Sequence, residues 1–127
     1  MGLDMFAWRV KSQDVIDDFT IVSSDTGKVE EIKYWRKHHD LHGWMESLYR
    51  AKGGENDVFN LQKVRLTLED LDKLEADVVA NRLPDTTGFF FGNNPPDLDS
   101  IAEDLQFIVR ARQVINEGDA VYYDSWW

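Results

Sequence analysis

The chain has 127 residues, of which 43% are hydrophobic, and its formal net charge is −10. This length fits one domain with its own core, so we expect a single domain over residues 1–127. The acidic charge excludes broad binding to nucleic-acid backbones, and the lack of cysteine excludes disulfides and thiolate metal sites.

Hydropathy and the N-terminal residues bear on the cellular location of the protein. No apolar stretch approaches the roughly 20 residues that are needed to span a bilayer. The segment from Met1 to Phe6 has an early acid and no basic residue, whereas a signal peptide begins with a basic region. We therefore expect a cytoplasmic protein that has no contact with membranes.

The first predicted element is a strand over residues 3–10, because side chains of two kinds alternate there. The alternating sets are Leu3, Met5, Ala7 and Asp4, Phe6, Trp8. Residues 11–28 are mostly polar and end in a turn signal. The following residues, 29–35, are predicted to be extended.

A helix is predicted from Trp35 to Ala51, with Leu41 and Trp44 on its buried stripe and Gly53-Gly54 at its end. Residues 58–67 alternate and predict a strand with one face in solvent.

The next helix is predicted to run from residue 68 to about Asn81, because Thr67 and Asp70 have the spacing of an N-terminal cap. Pro84 prevents its continuation.

Residues 82–97 form the longest predicted loop, and Gly88 to Gly92 places three phenylalanines between two glycines. This segment fits either a lid or a buried strand with glycine bulges. Ser100 and Glu103 then have the spacing of a capping box for a helix that runs to Gly118.

Residues 120–126 predict the last strand. The element order favours a small α+β fold in which about three helices pack on one face of a mostly antiparallel sheet.

The chain ends on Trp126 and Trp127. A chain end is normally polar and frayed, so two adjacent tryptophans predict a docked tail. We expect both rings to lose more than half of their accessible area, against either the core or a ligand.

Residues 28–52 are the basic part of an acidic molecule: six bases against four acids give +2, which leaves −12 for the remainder. All three histidines lie in this segment, and its aromatic rings, donors and positive charge suit a phosphate-bearing ligand. The predicted ligand site comprises Trp35, Arg36, Lys37, His38 and His42, with Phe90 and Trp126 as walls. We expect the site to need no cofactor.

Other readings of this segment stay open. His38 and His42 lie four residues apart, so they border one helix face and could form hydrogen bonds at the edge of the core. Together with Glu46 they could bind zinc, but no further ligand is evident, and we expect no metal. The sequence has no Gly-x-Ser-x-Gly motif and no cysteine, so it assigns no catalytic residue and favours a protein without enzymatic activity.

Five short motifs follow one another along the chain: Met1–Met5 (MGLDM), Tyr34–Lys37 (YWRK), Leu41–Met45 (LHGWM), Gly88–Gly92 (GFFFG) and Tyr123–Trp127 (YDSWW). As an ordered set they resemble a family of small, largely uncharacterised proteins encoded by bacteriophages and prophages. Members are sometimes labelled phosphoglycerate kinase, but such a kinase needs two large domains, for which this chain has no room. The resemblance implies a phage accessory protein in the cytoplasm of the infected bacterium.

Three functional hypotheses result. The first is a phage accessory protein of the anti-defence type that binds a small anionic, nucleotide-like ligand without catalysis. The second is an acidic inhibitor that binds a host protein or imitates nucleic acid. The third is a small hydrolase or metal enzyme. Self-association into a homo-oligomer is compatible with all three.

Overall fold

The computed structural model describes residues 2–22, 29–80, 82–83 and 98–127. Its elements, in chain order, are β1 (Asp4–Val10), a 3-10 turn (Ser12–Asp14), β2 (Val29–Arg36), α1 (His39–Ala51), β3 (Val64–Leu66), α2 (Leu68–Val79), α3 (Leu98–Asn116) and β4 (Ala120–Trp126).

The four strands form one antiparallel sheet in the order β2-β1-β4-β3. β1 is central, so Met5 lies opposite Trp35 on one side and opposite Ser125 on the other. The described ranges also contain three helices. The predicted α+β fold is therefore confirmed.

The two faces of the sheet have different surroundings. The inner face carries Met5 and Ala7 of β1, and both are fully buried in a core that includes residues of all three helices. The outer face carries Asp4, Phe6 and Trp8, together with the residues that pair with them on β2 and β4. The two alternating sets of side chains predicted for residues 3–10 thus lie on opposite faces of the sheet.

One end of the outer face is covered by the segment that follows β1. Val10, Ala120 and Tyr122 form a small buried cluster there. The Tyr122 hydroxyl donates a hydrogen bond to the carbonyl oxygen of Asp17, which holds this segment over the strands. The opposite end of the outer face, around Asp4, lies outside this cluster.

The first helix begins later than the sequence predicts. Trp35 is still part of β2, and the backbone N–H of Lys37 donates to the Leu3 carbonyl at 2.9 Å, which extends the pairing of β2 with β1. Lys37 has a φ of 60°, and α1 starts only at His39. The prediction of a helix from Trp35 was wrong because pairing with β1 holds Trp35 and Arg36 in the sheet.

β3 is also shorter than the predicted strand over residues 58–67. Phe59 is buried in the core, and Leu61 has a φ of 60° that interrupts the extended chain. The Leu61 N–H donates to the carbonyl oxygen of Ser125 at 2.9 Å. Regular pairing with β4 is therefore limited to Val64–Leu66.

The predicted cap of α2 is confirmed, since Thr67 and Asp70 form a reciprocal capping box. α3 starts at Leu98, so Ser100 lies inside the helix and is not its cap as predicted. The end of α3 near Gly118 and the last strand agree with the sequence. The segment Gly88–Gly92 lies outside the described residues.

Candidate binding site

The predicted ligand residues lie in three different places. Trp35 and His42 are buried beneath the inner face, with 4% and 2% of their surface exposed. Arg36 and Trp126 are exposed on the outer face, where both lie opposite Asp4 on neighbouring strands.

Two further predicted residues, Lys37 and His38, lie in the connection between β2 and α1. Phe90 is outside the described residues. The structure therefore does not bring the described members of the predicted site into one cluster.

A buried carboxylate organises the inner part of the predicted site. Asp104 of α3 is 2% exposed and accepts hydrogen bonds from Trp35 Nε1 at 3.3 Å and from His38 Nε2 at 2.8 Å. The ring of Trp35 also packs edge-on against Phe107. These contacts fasten the end of β2 and the start of α1 to α3, which is a structural role.

His42 belongs to a second buried arrangement. Its Nδ1 lies 2.6 Å from the hydroxyl oxygen of Tyr123 on β4, and its ring contacts Phe59 and Trp127. Burial lowers the pKa of His42 from 6.5 to about 4, so its imidazole is neutral near pH 7. Burial likewise raises the pKa of Tyr123 well above 10. A neutral, enclosed imidazole offers little attraction to an anion.

Besides Trp126, which the predicted site included, the outer face carries aromatic rings that the sequence did not assign to a site. Phe6 and Trp8 stack with ring centres 5.2 Å apart, and Tyr34 packs against Phe6 at 5.4 Å. Tyr34 is 44% exposed, and Trp126 is 62% exposed. We call Phe6, Trp8, Tyr34 and Trp126 the outer aromatic group.

A polar row borders this group at one end of the sheet. Asp4 is central in the row because it pairs with Arg36 on β2 and with Trp126 on β4. The Tyr34 hydroxyl donates to Asp4 Oδ1 at 2.5 Å, and this hydrogen bond raises the pKa of Tyr34. The exposed Arg36 guanidinium passes over Gly2, where an added Cβ would lie 3.5 Å from Nη2.

The two C-terminal tryptophans behave differently. Trp127 packs against the core and is held by Asn60 and by the carbonyl oxygen of Phe59, which accepts from the Trp127 indole at 3.0 Å. The prediction of a docked ring is right for Trp127. It was wrong for Trp126, because the strand alternation of β4 turns this ring to the outer face.

The alternation of residues 3–10 was the sequence signal that could have located the outer aromatic group. Leu3, Met5 and Ala7 were the apolar set, so Phe6 and Trp8 had to share the opposite face. Pairing across strands then adds Tyr34 and Trp126, which no local pattern reveals. The missing information was the strand order.

Grooves lined by described residues also lie elsewhere on the molecule. One of about 420 Å³ is lined by the end of β3, the start of α2 and Ile115. Another of about 280 Å³ lies between α1 and α2, beside Trp44 and Asp77. Neither groove is lined by a residue of the predicted site or of the outer aromatic group.

The described ranges contain neither a cluster of metal-binding side chains nor a helix that could span a membrane. In that part of the chain, no three His, Asp or Glu side chains come together as a metal site. Nor does any described helix combine the length and apolar character needed to cross a lipid bilayer.

Comparison with known proteins adds no relative to this picture: no family model, curated protein or solved structure matches the chain.

Proposed function

We propose that this protein is a binding protein without catalytic activity whose outer sheet face takes a planar, anionic, nucleotide-like ligand. The observation that carries the proposal is the exposure of Tyr34 and Trp126 on the same face as the stacked rings of Phe6 and Trp8, next to Arg36. Exposed rings on a sheet offer a surface on which a base can stack.

The charges at the edge of this surface suit a small anion. Arg36 and Lys37 are exposed and adjacent, and a guanidinium can bind a phosphate through two parallel hydrogen bonds. Arg36 is separated from Trp126 by two strand spacings, or about 10 Å between backbones. That separation lets one nucleotide contact a ring and a cation together.

The overall charge limits the size of such a ligand. A net charge of −10 repels an extended nucleic acid, whose affinity depends on many phosphate contacts. A mononucleotide or dinucleotide needs only the local cations beside the outer aromatic group. A nucleotide signal of host defence is one ligand of this class, and binding it would fit the phage accessory role that the five motifs imply.

The openness of the surface favours a second candidate, a protein partner. Small-molecule sites are usually concave, whereas the outer aromatic group lies on a sheet face. Exposed tryptophan and tyrosine side chains are enriched where protein–protein binding energy concentrates. In this case the protein is an inhibitor whose outer face covers a site on a host factor.

Titration calorimetry with a panel of nucleoside monophosphates and cyclic dinucleotides tests the first candidate. We expect at least one of them to bind, and we expect Trp126→Ala and the double variant Arg36→Gln/Lys37→Gln each to weaken binding tenfold or more. Val109→Ala and Lys73→Gln are matched controls, because both alter exposed side chains on helices. Binding that survives both site variants would reject this location.

The same variants separate the two candidates. If no nucleotide binds, the second candidate predicts a protein partner. The purified protein, immobilised and incubated with host lysate, should then retain one specific host protein, and the Trp126→Ala variant should not retain it. If neither a nucleotide nor a partner depends on Trp126, the outer aromatic group is not the functional surface.

A further inference from the structure

The two edges of the sheet differ in how their backbone groups are used. At the β3 edge, the Arg65 N–H donates to the Asp18 carbonyl at 2.8 Å, and Lys52 Nζ donates to the Arg65 carbonyl at 2.8 Å. Along β2, the described residues pair through their backbone with β1 alone. Within the described part of the chain, the other side of β2 therefore presents backbone donors and acceptors to a further strand.

The charges along β2 are divided by sign. Glu30 and Glu31 lie in its first half, whereas Arg36 ends the strand and Lys37 follows it. All four are exposed, and none forms an ion pair with another described residue. A strand with acids at one end and bases at the other has a preferred direction of pairing.

An antiparallel pair of identical strands places the first half of one copy against the second half of the other. A twofold axis makes every such contact occur twice. Glu30 and Glu31 of each copy then face Arg36 and Lys37 of the other. Opposite charges across paired strands stabilise them, and like charges directly opposite destabilise them. β2 is therefore complementary to itself only in the antiparallel direction.

We propose that the outer edge of β2 binds a second copy of this chain, so that two four-stranded sheets join into one eight-stranded sheet across a twofold axis near Lys33 and Tyr34. The register shift between β1 and β2 leaves Ile32 without a partner on β1, and this irregularity lies next to Lys33 within the proposed paired segment.

The net charge of the molecule also favours the outer edge of β2 as the interface between two copies. Two chains of charge −10 repel each other, and the repulsion is least where the local charge is balanced. Glu30, Glu31, Lys33, Arg36 and Lys37 sum to +1 along this edge. The inference does not rest on ligand binding by the outer aromatic group, because it depends on the backbone and charges of β2.

Sedimentation velocity and light scattering on the full chain test the dimer. We expect twice the 14.8 kDa mass of one chain. Glu30→Lys/Glu31→Lys makes the edge entirely basic, and Arg36→Glu/Lys37→Glu gives it four acids against Lys33. Each double variant alone should shift to the mass of one chain. An equal mixture of the two should restore the mass of two chains, as a heterodimer.

A unique thiol gives a second readout that does not need charge reversal. The chain has no cysteine, so Lys33→Cys places one thiol near the proposed axis. Mild oxidation should link two copies covalently, whereas Arg65→Cys at the opposite edge of the sheet should not link them. The two cysteine variants also test the dimer if a charge-reversed variant fails to fold.

Three results would overturn the proposal. They are a wild-type mass of one chain at the highest soluble concentration, a mass of two chains that both charge-reversed variants retain, and equal cross-linking at residues 33 and 65. Trp126 lies on β4 and not on the proposed edge. A Trp126→Ala variant that loses ligand binding but keeps the mass of two chains therefore separates this inference from the proposed function.

Discussion

His42 Nδ1 lies 2.6 Å from the hydroxyl oxygen of Tyr123, where both side chains are buried beneath the sheet. The contact joins α1 to β4 and surrounds a titratable group with the rings of Phe59 and Trp127. Because this environment disfavours the imidazolium, His42 connects the stability of the fold to pH.

The first prediction is a loss of stability on mild acidification. The pKa of His42 is about 4 in the folded chain and about 6.5 when unfolded, so between these values only the unfolded chain binds the proton. The stability that the neutral, buried His42 contributes to the fold is fully present above pH 6.5 and is lost as the pH falls toward 4. We expect the free energy of unfolding to decrease by about 3 kcal/mol over this window.

Urea unfolding at several pH values measures this effect. His42→Gln lacks the titrating group, so its stability should change less between pH 7 and pH 5 than that of the wild type. Equal slopes for the two proteins would show that His42 does not carry the pH dependence.

The second prediction concerns Asp104. Asp104→Ala leaves the indole N–H of Trp35 and the imidazole of His38 without their acceptor in a buried place. We expect a loss of about 3 kcal/mol in the free energy of unfolding. The neighbouring Glu103→Ala removes only a pair between the exposed Glu103 and the half-buried Lys33, and it should cost less than about 1 kcal/mol. Thermal unfolding, monitored by circular dichroism, compares the stabilities of the two variants. Similar losses of stability in both would contradict the role assigned to Asp104.

The third prediction separates the two C-terminal tryptophans. Trp127→Ala removes a ring that packs on the core and an indole that donates to the Phe59 carbonyl, so it should cost about 2 kcal/mol or more. Trp126→Ala changes a ring that is 62% exposed and should leave the melting temperature nearly unchanged. If Trp126→Ala were the more destabilising of the two, the assignment of the rings to opposite faces would be wrong.

The fourth prediction is that Arg36 and Lys37 contribute to binding more than to stability. Both side chains are exposed, and exposed charges contribute little to the free energy of unfolding. Arg36→Gln/Lys37→Gln should therefore unfold within about 1 kcal/mol of the wild type while its affinity for a nucleotide falls. Chemical denaturation and calorimetry on the same sample measure both quantities, and a large loss of stability would identify these cations as structural.

Local patterns in the sequence determined most of the elements. Alternation located β1, the Thr67–Asp70 spacing located the start of α2, and glycine marked the end of α3. These features depend on side chains that are close along the chain, so the residues themselves report them. They were enough for the α+β class.

Tertiary structure decided which side chains share a surface. Trp35, Arg36 and His38 are neighbours in sequence, yet pairing with Met5 buries Trp35, strand alternation exposes Arg36, and Asp104 from α3 engages His38. The outer aromatic group exists because β1 lies between β2 and β4, which brings together residues more than a hundred positions apart. Strand order depends on the packing of the whole chain, and for that reason no local pattern could supply it.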